Sequence, residues 1–147
     1  MVAALATGGA AACDAVRRSC DLAALSADVE LYATGHHAAA LALAQAGVFA
    51  ALMRTLATAE SEEHQKLIWA AVDALRAVLN AAHVANGLAL GRHSAVLNAC
   101  LQQVYPRDGS GLDLLLRLLK RNPMREVAFC AFRIVRLTFK LVRHSIL

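Results

Sequence analysis

The chain has 147 residues, a formal net charge of +4 and only two prolines, a length that one domain can fill with a closed core and no disulfide or metal staple. Its 33 alanines and 24 leucines are strong helix formers with little side-chain entropy to lose, so an all-α chain is expected. The charge is lopsided: residues 1–106 carry six Lys or Arg against eight acids, and residues 107–147 carry nine against three, which directs an electrostatic partner to the C-terminal third.

In chain order, the opening MVAALATGGAAAC has no Lys or Arg ahead of its weakly apolar part and reads as a capping or frayed N-terminus rather than a secretory leader. A helix over residues 13–25 follows, placing Cys13 and Cys20 on one face. TGHHAAALALAQAG then supplies a short helix running into Gly47. The apolar run over residues 38–53 falls short of the roughly 20 residues a bilayer core requires and is mostly alanine, so it predicts a buried helix and no membrane insertion. Behind Gly47, GVFAALMRTL predicts a second short helix. In the turn ATAESEEH, Ser61 is the expected N-cap with His64 at N3, and Glu62 and Glu63 lie near the positive end of the next helix dipole. The long helix that follows includes residues 70–79. Breaks at Asn86, Gly87 and Gly91 precede an amphipathic helix over residues 94–104. SGLDLLLRLL predicts another short buried helix. In KRNPMRE, Asn122 is the expected cap and Pro123 the first helical residue, and the last long helix covers residues 127–142.

The chain repeats itself. GVFAALMRTL from Gly47 aligns with SGLDLLLRLL from Ser110, pairing Phe49 with Leu112, Leu52 with Leu115, Met53 with Leu116 and Leu56 with Leu119. In the long helices, Trp69, Ala71, Leu75, Arg76 and Leu79 align with Phe129, Ala131, Val135, Arg136 and Phe139. A weaker third copy places Ala15, Val16, Arg17 and Cys20 where Ala74, Leu75, Arg76 and Leu79 stand in the next.

This order of a short helix ending in AG, a second helix of the form G-x-apolar-x-x-Leu-apolar, a polar turn and a long third helix containing Ala-Leu resembles the armadillo repeat and its HEAT relatives. The likeness covers residues 38–79 and 112–142. It implies a short right-handed α-solenoid of two to three helical units in a single domain 1–147: an incomplete unit at 13–25, a unit at 37–82 and a unit at 94–143 with an enlarged first helix. The units lie about 60 residues apart, against the family's roughly 40–47; the segment ahead of Gly109 is the excess. Armadillo proteins that bind nuclear-import signals carry a Trp and Asn ladder on their third helices. Here the ladder positions hold Asp73 and Ala77, then Arg133 and Leu137, and Trp69 stands one turn too early. That ligand class is therefore not carried over.

Stacked helical units expose long helices along a common surface that binds other chains. On the last helix Arg133, Arg136, Lys140 and Arg143 follow i, i+3, i+7 and i+10 spacing and gather on one stripe, flanked by Phe129, Phe132 and Phe139. With Asp73 and Arg76 of the preceding long helix, these residues, Phe132 and Phe139 apart, form the expected partner-binding set. Arg clusters beside aromatic rings offer bidentate hydrogen bonds and apolar contact together, which suits a non-enzymatic protein-interaction scaffold or adaptor for an acidic or phosphorylated partner segment. The plainer reading of the stripe is a solvated helix face. The rival of a different class is a basic helical domain binding nucleic acid or an acidic membrane surface through residues 107–147.

Catalysis lacks candidates: there is no P-loop, GxSxG or HExxH, and GSG at residues 109–111 lacks the following Lys. No catalytic residue, cofactor or metal is expected. His36 and His37 are adjacent and so point to different helix faces. Cys13, Cys20, Cys100 and Cys130 show no CxxC spacing and read as core thiols in a reducing, cytoplasmic or nuclear setting. The apolar end, with Leu141, Val142, Ile146 and Leu147, predicts self-association or continuation into a longer array.

Overall fold

The computed structural model describes residues 9–24, 40–88 and 94–146, with the backbone alone over 18–24, 94 and 138–146 and at 85, 87 and 88. Six helices follow one another: α1 (Gly9–Ala24), α2 (Val48–Ser61), α3 (Gln65–Leu88), α4 (Ser94–Val104), α5 (Ser110–Arg121) and α6 (Arg125–Ile146). A further helical stretch over residues 40–45 leads into Gly47. There is no strand among the described residues. The chain is all-α, as its composition requires, and α4 spans the residues that its periodicity marks.

Gly47 makes the corner between the 40–45 helix and α2. It sits at φ 73°, ψ 25°, a left-handed conformation that glycine adopts without steric cost. Its N–H closes the first helix on the Ala44 carbonyl (3.1 Å), while its carbonyl accepts the first α2 bond from Ala51 (3.0 Å). The Ala50 N–H, one of the donors at the start of α2 with no partner within the helix, needs an acceptor, and Gln103 of α4 supplies it while adding a second bond to the Ala44 carbonyl. Its Oε1 accepts from the Ala50 N–H (3.2 Å) and its amide nitrogen donates to the Ala44 carbonyl. Gln103→Ala is expected to lower stability by about 1–2 kcal/mol, read as a reduced urea midpoint; an unchanged midpoint would show that the corner closes without α4.

The turn between α2 and α3 departs from the expected cap. Ser61 remains the last helical residue of α2. The chain reverses at Glu63, a non-glycine residue at φ 56°, and the His64 N–H returns to the Ala59 carbonyl (2.9 Å). His64 itself caps α3, its Nδ1 accepting from the Leu67 N–H at 3.3 Å. The second turn departs similarly. Asn122 is extended, at ψ 133°, as a residue before proline is driven to be, and its Oδ1 accepts from the Met124 N–H at 2.9 Å. Pro123 therefore precedes α6, which starts at Arg125.

α3 is the centre of the packing, in contact with α1, α2, α4 and α6, while α5 pairs with α6. Leu75, Leu79, Ile68 and Val72 of α3 are sealed, as are Phe49, Leu52 and Leu56 of α2. Gln65–Val84, part of α3, is the one span among the described residues long and apolar enough to cross a bilayer; Ile68, Val72, Leu75 and Leu79 within it are sealed in the core, while Trp69 and Val84 are exposed.

Contacts between the two hairpins α2–α3 and α5–α6 keep a nearly constant sequence separation. Glu60 bonds Arg117, and Gln65 bonds Asn122, each 57 residues on. Upstream, Gln103 of α4 bonds Ala44 and Ala50 at separations of 59 and 53, and the Cys100 thiol bonds the Ala40 carbonyl at 60. In an antiparallel pair of hairpins the separation would change by two for every residue along the contact. Between the Glu60 and Gln65 contacts it does not, so both hairpins run in the same direction with their turns at the same end.

The structure corrects the repeat register of the short helices by one residue. Gly47 matches Gly109, the two left-handed residues ahead of α2 and α5 at φ 73° and 81°, rather than Ser110. Phe49, Leu52, Met53 and Leu56 then correspond to Gly111, Leu114, Leu115 and Leu118, all buried. Leu112, expected to be the buried partner of Phe49, is 38% exposed against 0%. The long-helix alignment keeps its phase: Ala71 and Ala131 are both buried, as are Leu75 and Val135, while Trp69 and Phe129 are both exposed.

Candidate functional site

A groove of about 330 Å³ lies between α3 and α6, lined by Arg76, Asn80 and His83 from one and by Arg133, Arg136 and Leu137 from the other. It exists because the two helices run side by side. The buried ridges of α3 (Leu75, Leu79) and α6 (Val127, Cys130, Ile134) leave the polar residues just outside them facing one another across the gap.

Arg76 is held in place within α3. Its Nη2 donates to Asp73 Oδ1 at 2.9 Å, and Arg17 of α1 places its Nε 3.2 Å from the other Asp73 oxygen. The three residues bind α1 to α3 while aiming Arg76 at α6. Burial opposes the Arg76 charge, but the hydrogen bond and attraction of Asp73 outweigh it and hold the guanidinium above its ordinary pKa. On the opposite wall the Arg133 guanidinium stacks over the Phe129 ring, 5.3 Å from its centroid, a cation–π contact that restricts an otherwise mobile side chain. Phe129 is 57% exposed and so offers open apolar surface beside the charge.

Of the seven residues expected to form the partner surface, the structure brings Arg76, Arg133 and Arg136 into one groove and sets Phe129 at its edge. Asp73 is not an exposed recognition residue: its side chain is 19% exposed and engaged by two arginines. Arg76 is likewise half-buried, at 21%. Lys140 and Arg143 fall further along α6, and their side chains lie outside the described residues, as do those of Cys20, Phe139, Leu141, Val142 and Ile146, and the whole of His36, His37 and Leu147. Asn80 and His83 line the groove although they stand out in no motif, and Arg17 supports it from behind through Asp73. Arg17 carried a signal in the weak third copy, where it aligns with Arg76.

No group of three or more His, Cys, Asp or Glu among the described residues is placed to hold a metal. Cys13, Cys100 and Cys130 are free and buried. Burial pushes the Cys13 and Cys100 thiols up to about 11 from an ordinary 9.0. The folded chain thus keeps these groups protonated, and the stability they contribute is complete below pH 9 and lost as pH rises through 11. Alkylation of the native chain at pH 8, followed by peptide mapping, is expected to modify both about a hundredfold more slowly than in denaturant; equal rates would show that the core is open.

No family model matches the chain, and no curated protein or solved structure matches it either. The geometry of the α3–α6 groove therefore carries the functional reading.

Proposed function

We propose that the chain is a short armadillo- or HEAT-like α-solenoid acting as a non-enzymatic interaction scaffold, with the α3–α6 groove as its binding surface for an acidic or phosphorylated segment of a protein partner. The shared 57-residue separation of the Glu60–Arg117 and Gln65–Asn122 contacts supports the solenoid. Arg17 meeting Asp73 across α1 and α3 extends the same relation one unit toward the N-terminus. The observation that carries the binding reading is the convergence of Arg76, Arg133 and Arg136 on one groove with an exposed aromatic ring beside it. A solvated face would spread such charges apart.

The test is peptide capture by wild type and the Arg133→Glu, Arg136→Glu double variant. Both positions are exposed, so the variant should retain its helical circular dichroism. Loss of charge-assisted hydrogen bonds is expected to weaken binding of acidic peptides at least tenfold. Undiminished binding would remove the groove from the account. Binding that ignores peptide sequence and falls steeply with salt would instead favour nucleic acid or an acidic membrane surface as the partner of residues 107–147.

A further inference from the structure

We infer that the α3–α6 groove is a phosphate pocket, taking the phosphomonoester of a phosphorylated side chain on the partner segment in preference to a carboxylate; this rests on the peptide-binding reading above. Three arginines line the pocket from two helices, so their donors are carried on opposite walls. A carboxylate presents two oxygens in one plane and is satisfied by a single arginine fork. A phosphomonoester carries about −1.5 to −2 charges near pH 7 and three acceptor oxygens arranged in space, and it can bridge both walls at once.

The surroundings favour the larger charge. Among the described residues no Asp or Glu lines the groove, and Asp73, the carboxylate that holds Arg76, is already shared between Arg17 and Arg76. Preorganisation favours it as well. Asp73 fixes Arg76 through one of its five N–H groups, and the Phe129 ring fixes Arg133, so little side-chain freedom remains to be lost on binding. The Asn80 amide adds a neutral donor on the α3 wall. A depression of about 330 Å³ accommodates one phosphate and its connecting atoms, which fits a single modified residue and not a run of nucleotides. Phe129, beside it, would meet an apolar neighbour in the partner.

The full-length chain would be titrated with three fluorescently labelled peptide pools, degenerate except for a fixed central phosphoserine, glutamate or serine, with binding read by anisotropy. The phosphoserine pool is expected to bind at least tenfold tighter than the glutamate pool, and glutamate tighter than serine. Arg136→Lys keeps the charge but removes the planar fork; it is expected to bring the phosphoserine-to-glutamate ratio near one, and a ratio unchanged from wild type would overturn the phosphate preference. Equal affinity of the wild type for phosphoserine and glutamate pools, both above serine, would overturn the phosphate preference and leave the acidic-segment reading intact. Binding of none of the three would overturn both. Tighter binding of a random single-stranded oligonucleotide than of the phosphoserine pool would also overturn it.

Discussion

Replacing Leu75 with alanine is expected to cost about 3–4 kcal/mol, lowering the thermal midpoint by roughly 10 °C in a domain of this size. Leu75 is sealed from solvent in the helix that α1, α2 and α6 all contact, so truncation opens a cavity bounded by several elements that cannot all collapse into it. Leu112→Ala provides the contrast. At 38% exposed, Leu112 gives up little burial, and its loss is expected to stay within about 0.5 kcal/mol. The pair discriminates between registers: if Leu112 were the sealed counterpart of Phe49, its truncation would be among the most damaging in the chain. A Leu112→Ala cost comparable with that of Leu75→Ala would contradict the packing described.

Gly111→Ala is expected to reverse the ordinary preference of helices. Within a helix alanine is normally favoured over glycine by up to about 1 kcal/mol. At Gly111, in the first turn of α5, an added Cβ would run into the carbonyl group of Val104 and approach Pro106 Cδ to 3.2 Å. The obstacle is backbone at the end of α4, which cannot rotate aside as a flexible side chain would. The substitution forces α5 away from α4 and should cost about 2–3 kcal/mol, seen as a lower urea midpoint with an unchanged slope. A gain in stability would mean that α4 does not end against the first turn of α5.

The sequence revealed much of this architecture because helical period and charge spacing are local. The α4 boundaries, the two hairpins and the Arg133, Arg136 stripe all follow from residues within a few turns of one another. The phase of α5 did not. Leu112, Leu114, Leu115, Leu116, Leu118 and Leu119 put an apolar side chain at nearly every position, so more than one face could serve as the core, and Gly111, which settles the phase, has no side chain to signal burial. The caps were misread for a related reason. Ser61 is a good N-cap residue by type, but α2 continues through it, and the reversal is made by Glu63 in a left-handed conformation with the cap passing to His64. In the groove, Arg133 and Arg136 were evident from their spacing. Asn80 and His83 become part of it only when α6 is laid against α3, and Arg17 supports it through Asp73 only when α1 is laid there too, tertiary facts that no local pattern carries. The same holds for Asp73, which reads as an exposed acid until two arginines from different helices close on it.

The central claim is that the two hairpins lie side by side in the same direction, and pulsed electron resonance between paired spin labels measures it directly. Labels carried on ketone side chains leave the native cysteines in place and would be introduced in pairs at positions 65 and 122, 80 and 136, and 65 and 136. Fifteen residues of α3 separate the first and second anchor points, about 22 Å along a helix. Short distances for 65 with 122 and for 80 with 136, together with a 65 with 136 distance at least about as long as that offset, are the result predicted. A short 65 with 136 distance and long distances for the other two pairs would show the hairpins running in opposite directions, and the groove between α3 and α6 would not exist as described.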